Sequence, residues 1–215
     1  MQESNDAFAL RSGARFVTST PMAHVDFYFD VVCPYAYLAH TQIESFCHAL
    51  SWKPILLGGL FRSIGAGDGP MPNMPEAKRA MNWLDMHRWA EHWNVPLVMP
   101  ADHPRRTVLA MRTILAANDT ARAAKALFRA YWCEGSDVSE EAVVARALDA
   151  AGFDGAALVE RAPALKDELR HRTDEAAAAG AFGVPTFVVH REGHDPELIW
   201  GQDRLMFVEK LLRSG

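Results

Sequence analysis

The chain has 215 residues, 49% hydrophobic and 23% charged, with 14 Gly and 12 Pro, which excludes collagen, extended disorder and coiled coil and suits one sizeable core or one domain with an inserted subdomain. Its 22 basic and 27 acidic side chains give a net charge of -5, without the basic excess that a phosphate backbone requires, so no nucleic-acid partner is expected. Cys33, Cys47 and Cys133 have no CxxC spacing and form neither a secreted disulfide framework nor a zinc site, which suits a reducing cytoplasm.

No run of 18 apolar residues exists, so a soluble protein with no membrane partner is expected. Residues 1–22 carry Glu3 and Asp6 and no continuous apolar stretch; they read as a poorly ordered leader, not a secretory signal. Met22 directly precedes the first strand and reads as an alternative start. From His24 to Val32, Val25, Phe27 and Phe29 alternate with Asp26, Tyr28 and Asp30 before the text becomes wholly apolar, which predicts a strand with a buried end. Pro34 suits the first turn of a helix, and Ala39, Ile43, Phe46 and Leu50 recur at helical spacing. Trp52 to Leu57 predicts a second strand, ended by Gly58-Gly59, so the chain opens as β-α-β with parallel strands.

Phe61 to Asn73 reads as loop, and helical patterns then dominate, near 75–93, 104–118, 121–134, 139–151 and 163–180. Ser139 suits a helix start, its hydroxyl accepting from a free amide, and Gly180 suits a helix stop. Pro185 introduces a strand at Thr186 to His190, Leu198 to Trp200 forms a short fourth, and Asp203 to Leu212 closes as an amphipathic helix. The division is a leader at 1–22, a β-α-β unit at 23–60, a helical insertion at 61–180 and a β-β-α unit at 181–215.

Cys33 sits where the first strand stops and the first helix begins, with Pro34 next, so its sulfur faces unpaired amides and the positive end of a helix dipole, where a thiol ionises more readily. Free cysteines are in general more often small buried hydrophobes. Cys47 and Cys133 are read that way, and neither is expected to resolve Cys33. The second signal is the run Gly183 to Phe187, with Pro185 just ahead of a strand. A cis bond there would turn the amide and carbonyl of Val184 sideways, free to pair with a bound peptide; a plain turn is the alternative.

These elements resemble the thioredoxin superfamily in its DsbA-like form: an α/β fold with a large all-helical insertion. More narrowly, Asp26-Phe27-Tyr28-Phe29-Asp30, Pro34-Tyr35-Ala36-Tyr37-Leu38, Leu56-Leu57-Gly58-Gly59-Leu60-Phe61, Phe182 to Phe187 and Trp200-Gly201-Gln202-Asp203-Arg204-Leu205 resemble the 2-hydroxychromene-2-carboxylate isomerases and the related kappa-class glutathione transferases, over about residues 24 to 213. The resemblance implies that glutathione lies extended across the thioredoxin-like part, its cysteinyl backbone on Val184 beside cis-Pro185 and its γ-glutamyl end at Gln202 and Asp203. Free amides at that helix start suit the γ-glutamyl carboxylate and Asp203 suits its ammonium group, although Asp203 also reads as a plain N-cap. Arg62 stands where the family usually has Lys and is expected to hold a substrate carboxylate, the alternative being a solvated loop charge.

Two departures matter. The family isomerases usually place Ser at position 33, which donates to the glutathione thiolate; Cys33 is a weaker donor and a real nucleophile, able to steady the glutathione sulfur or to form a mixed disulfide with it. Ala36 occupies the place of a resolving cysteine, so glutathione would have to resolve that disulfide. The Ala66 to Pro70 stretch is also longer than in the family and lacks its Asn.

The insertion is expected to roof the site for a small aromatic substrate, with Trp89 and Trp93 inside and the Met71 to Met74 loop at its mouth. Asp85, His87 and Arg88 read as solvated helix residues, and nine scattered histidines with no ligand spacing give no metal site. The expected function is a cytoplasmic, glutathione-dependent 2-hydroxychromene-2-carboxylate isomerase with Cys33 as the catalytic residue. The alternatives are a glutathione S-transferase, a glutathione-linked thiol-disulfide oxidoreductase cycling Cys33, and a non-catalytic binding domain. A homodimer is a family expectation to which no motif here points.

Overall fold

The structure is a computed structural model that describes residues 23–214; the leader and Met22 lie outside them. Four strands form one mixed sheet in the order β2-β1-β3-β4. β1 (His24–Phe29) and β2 (Leu50–Pro54) are parallel and joined by α1 (Pro34–Ile43), whereas β3 (Thr186–His190) and β4 (Glu197–Trp200) are antiparallel to their neighbours and lead into α9 (Leu205–Arg213). Between β2 and β3 run α2 (Leu57–Ser63), α3 (Glu76–His92), α4 (Val108–Ala116), α5 (Thr120–Trp132), α6 (Glu141–Ala150), α7 (Gly155–Arg161) and α8 (Lys166–Ala178). The fold is the DsbA-like thioredoxin fold that the element order implies. Among the described residues no helix is long and apolar enough to cross a membrane.

β1 is central and buried from Phe27 to Phe29, but it ends there, so Asp30 and the apolar Val31-Val32 expected in the strand lie in the turn beyond it. Phe27 is fully buried and packs on Phe29 and Phe187 with ring centroids 5.3 and 5.2 Å away, and edge-on to Trp52 at 5.1 Å. Each such ring pair adds roughly 0.5–1.5 kcal/mol to the burial of the side chain itself. This aromatic column joins β1, β2 and β3, and the loop carrying Cys33 leaves from its top.

Several elements depart from the sequence expectation. The second strand runs over Leu50–Pro54, not Trp52 to Leu57, and Gly58-Gly59 lies inside α2 instead of ending a strand. Pro54 has no amide for the ladder, and the next free donors are captured elsewhere: Leu56 N–H donates to Thr173 Oγ1 (3.0 Å) and Leu57 N–H to Asp30 Oδ2 (2.8 Å). Gly59 serves close packing, since its Cβ would stand 3.2 Å from Thr173 Cγ2 on α8, whereas nothing lies within 4 Å of a Cβ on Gly58. α1 ends at Ile43, so Phe46 and Leu50 fall beyond it.

α7 was not anticipated. Asp154 caps it by accepting from Ala157 N–H at 3.0 Å, and the helix near 163–180 is a short 3-10 turn, Ala162–Leu165, followed by α8. Ser139 caps nothing; its hydroxyl donates to Asp137 Oδ1 (2.7 Å) and α6 begins two residues later. Gly180, at φ 90°, ends α8 as expected.

Candidate active site

The loop between β1 and α1 is fixed before any ligand arrives. The Asp30 carboxylate, 1% exposed, accepts from Val32 N–H (3.1 Å) and Leu57 N–H (2.8 Å), with the Thr107 hydroxyl as a further donor. Burial raises its pKa, and these three donors oppose the rise. Trp132, fully buried on α5, donates its indole N–H to Val31 O at 2.7 Å. The two clamps place Cys33 at the N-cap position of α1, with Pro34 in the first turn.

Cys33 and Val184 are 151 residues apart in sequence, yet the thiol donates to Val184 O at 3.1 Å. The Val184–Pro185 bond is cis, and the Val184 N–H has no hydrogen-bond partner among the described residues. Pro185 O accepts from Gly201 N–H at 3.0 Å, tying the cis-proline turn to the Gln202–Arg204 turn that opens α9. Gly201 sits at φ 98°, where a Cβ would meet Asp203 Oδ1 at 2.5 Å, so this bend requires glycine. Thus Cys33, Val184, Pro185 and, through Gly201, the Gln202–Asp203 turn are brought together.

The electrostatics of Cys33 differ from the helix-dipole expectation. The Ala36 and Tyr35 amides do favour the thiolate, but burial is the larger effect and, with the Asp30 charge, pushes the thiol up to about 12. Desolvation penalises the charged form more than two amides reward it. At neutral pH the group is therefore a protonated thiol that donates.

Gln202 is buried and Asp203 half-buried. Asp203 makes no capping hydrogen bond; its carboxylate accepts from Arg204 Nη1 at 3.0 Å, a largely exposed pair of small energetic weight. Arg62 lies exposed on the last turn of α2, with no ion-pair partner among the described residues. Tyr35 was not singled out by sequence. Burial, then the charges of Asp85, Cys33 and Asp203, push its hydroxyl up to about 12, which places it among α3, the Cys33 loop and the α9 turn. Its signal in the sequence was only its position two residues after Cys33. Asp85 is half-buried on this side and not fully solvated.

On α3, Met86 and Ala90 are buried, and Trp89 and Trp93 are half-buried, packed on one another at 4.7 Å. Met74 is buried, while Met71, Met81 and Trp83 are exposed at 47%, 50% and 43%, leaving adaptable apolar surface towards solvent. Cys47 is buried and Cys133 half-buried, its sulfur 3.3 Å from the Tyr37 hydroxyl. Both are free thiols, as is Cys33.

The family model for the DSBA-like thioredoxin domain matches residues 24–213. The chain is 30% identical over 196 residues to the 2-hydroxychromene-2-carboxylate isomerase of Sphingobium xenophagum, covering 87% of this chain and 97% of that protein. It is 27% identical to glutathione S-transferase kappa 1 of Caenorhabditis elegans, over 90% of this chain and 92% of that one. A solved 2-hydroxychromene-2-carboxylate isomerase superposes with a TM-score of 0.76 at 27% identity, covering 88% of this chain and 94% of that chain.

Proposed function

From the premise that this chain belongs to the DSBA-like thioredoxin domain family, we propose that it is a glutathione-dependent isomerase interconverting 2-hydroxychromene-2-carboxylate and trans-o-hydroxybenzylidenepyruvate. The observation that carries this reading is a buried Cys33 thiol donating to Val184 O at the cis-proline, with Ala36 where a second thiol would serve dithiol exchange. A single neutral donor suits holding a ligand's sulfur better than cycling through disulfides.

The donor set fits glutathione. The unpartnered Val184 N–H suits a peptide carbonyl, and Asp203 offers a carboxylate to an ammonium group once Arg204 swings aside. Bound glutathione supplies a thiolate that adds reversibly to the substrate's double bond and so allows rotation about it. Cys33 turns its S–H from Val184 O to the ligand sulfur, favouring its ionised form; Val184 and Pro185 fix the peptide; Gln202 and Asp203 hold the γ-glutamyl end. Arg62, exposed on the last turn of α2, is assigned the substrate carboxylate. The exposed Met71, Met81 and Trp83 cover the aromatic ring. A reducing cytoplasm supplies the reduced glutathione this chemistry requires.

The test is the ultraviolet spectrum of 2-hydroxychromene-2-carboxylate over time, with and without reduced glutathione. Conversion that depends on glutathione and exceeds the enzyme-free control is expected. A flat trace from folded protein overturns the proposal. The kappa-class relatives favour a second reading, glutathione transfer to an electrophile, which predicts consumption of glutathione where the isomerase regenerates it.

A further inference from the structure

The histidines show no ligand spacing along the chain, but the sheet register gathers two of them. His24 on β1 faces His190 on β3 directly across the antiparallel ladder, and Asp26, two residues further along β1, shares their face. The two imidazoles stack with centroids 4.4 Å apart and planes 6° from parallel. His190 Nε2 lies 3.3 Å from Asp26 Oδ2, and one potential ligand atom from each of the three residues falls within 4.8 Å of the others. His24 is exposed, and Asp26 and His190 are half-buried, so the group is open to an ion from solvent.

We propose that His24, Asp26 and His190 form a binding site for a divalent d-block cation such as Zn²⁺ or Ni²⁺. Two imidazole nitrogens and one carboxylate oxygen suit these ions, whereas Mg²⁺ and Ca²⁺ prefer oxygen alone. Tetrahedral bonds of about 2.0–2.1 Å place ligand atoms about 3.3 Å apart, a separation that His190 Nε2 and Asp26 Oδ2 already have across a hydrogen bond; the ion takes the place of the Nε2 proton, which passes to Nδ1 or, from an imidazolium, to solvent. The remaining closure falls to His24, whose exposed ring leaves its stack on His190 to reach the ion. Three protein ligands leave a fourth position for water.

Lys53 on β2 holds the other Asp26 oxygen, its Nζ 3.5 Å from Oδ1. Its ammonium balances Asp26 in the ion-free protein and repels an incoming cation, so it sets an upper limit on affinity without removing any ligand. The site lies at the start of β1, whereas Cys33 follows the end of that strand, a run of roughly 17 Å over His24–Phe29 at about 3.3 Å per residue. Binding ties β1 to β3 and takes no part in Cys33 chemistry. The linear sequence carried no trace of this site because its third ligand arrives from a strand 164 residues away from Asp26.

The test is titration of the full chain with Co²⁺, whose visible bands report tetrahedral coordination, followed by displacement with Zn²⁺. One equivalent per chain is expected to saturate the signal. H24A and H190A each weaken binding by at least about tenfold, K53M tightens it several-fold, and H194A, on the exposed β3–β4 turn, leaves it unchanged. His24 is exposed, so H24A remains informative where H190A disturbs the sheet. Absence of saturable one-to-one binding in the wild type, or wild-type affinity in H24A, overturns the proposal, as does a sulfur charge-transfer band that assigns the ion to a cysteine.

Discussion

Alkylation of Cys33 as a function of pH reports whether its sulfur is a donor or a nucleophile. The reference thiol value is 9.0 and burial carries Cys33 to about 12, so three pH units separate them, about a thousandfold in thiolate population. At pH 7 an ordinary cysteine is about 1% thiolate, and Cys33 is about one part in 10⁵. The thiolate is the reactive species, so iodoacetamide should label Cys33, followed by peptide mapping, about a thousandfold more slowly than the same residue in denatured protein. At 7% exposure the sulfur is also shielded from reagent, and the shape of the profile separates the two effects. Shielding lowers the rate equally at every pH, whereas the protonation equilibrium gives a tenfold rise per unit with no plateau below about pH 10. A raised acid pKa also means that the unfolded chain releases its proton first. The stability tied to Cys33 is therefore complete below pH 9 and lost at up to about 1.4 kcal/mol per unit as pH climbs towards 12. A plateau near pH 7, or rapid labelling at pH 6, refutes the neutral-thiol reasoning and favours the oxidoreductase.

Three further outcomes follow from the fold. His40 stacks on Phe128 at 4.8 Å and burial lowers its pKa from 6.5 to about 3. Its contribution is full above pH 6.5 and lost as pH falls towards 3, where only the unfolded chain takes the proton; denaturant midpoints for H40F should therefore fall less than wild type between pH 7 and 4.5, and equal slopes contradict this. D30N replaces an accepting oxygen with an amide that faces Val32 N–H or Leu57 N–H; a loss of about 2 kcal/mol in urea unfolding is expected, and a change below about 0.5 kcal/mol would mean that these bonds are replaceable. G201A forces a Cβ against Asp203 Oδ1 at φ 98°, so calorimetry should show weakened glutathione binding, and unchanged affinity removes Asp203 from the site.

What the sequence made legible was what local pattern controls. Alternation around Phe27 marked β1, and Pro185 followed by Thr-Phe-Val-Val-His bounded β3 at Thr186–His190. Gly58-Gly59 misled because the same residue type breaks a strand or permits close helix packing, and at Gly59 only the approach of Thr173 decides which. α7 was missed because seven residues give little periodicity, although Asp154 was a usable capping signal. Cys33 and Pro185 were identifiable as positions, but their meeting depends on 151 residues of intervening chain. The Cys33 ionisation expectation failed for the same reason: the helix N-terminus is written locally, and the burial that outweighs it is not. Arg62 resembled a site residue by family position, and the structure shows it exposed on the last turn of α2.

The most direct measurement of the central claim compares glutathione-dependent conversion of 2-hydroxychromene-2-carboxylate by wild type, C33S and C33A. If Cys33 acts as a neutral donor, the serine hydroxyl replaces it and C33S stays within about tenfold of wild type, whereas C33A, lacking any donor, falls by about 10²-fold or more. Equal and near-complete loss in both variants would contradict the account and assign the work to the sulfur as nucleophile.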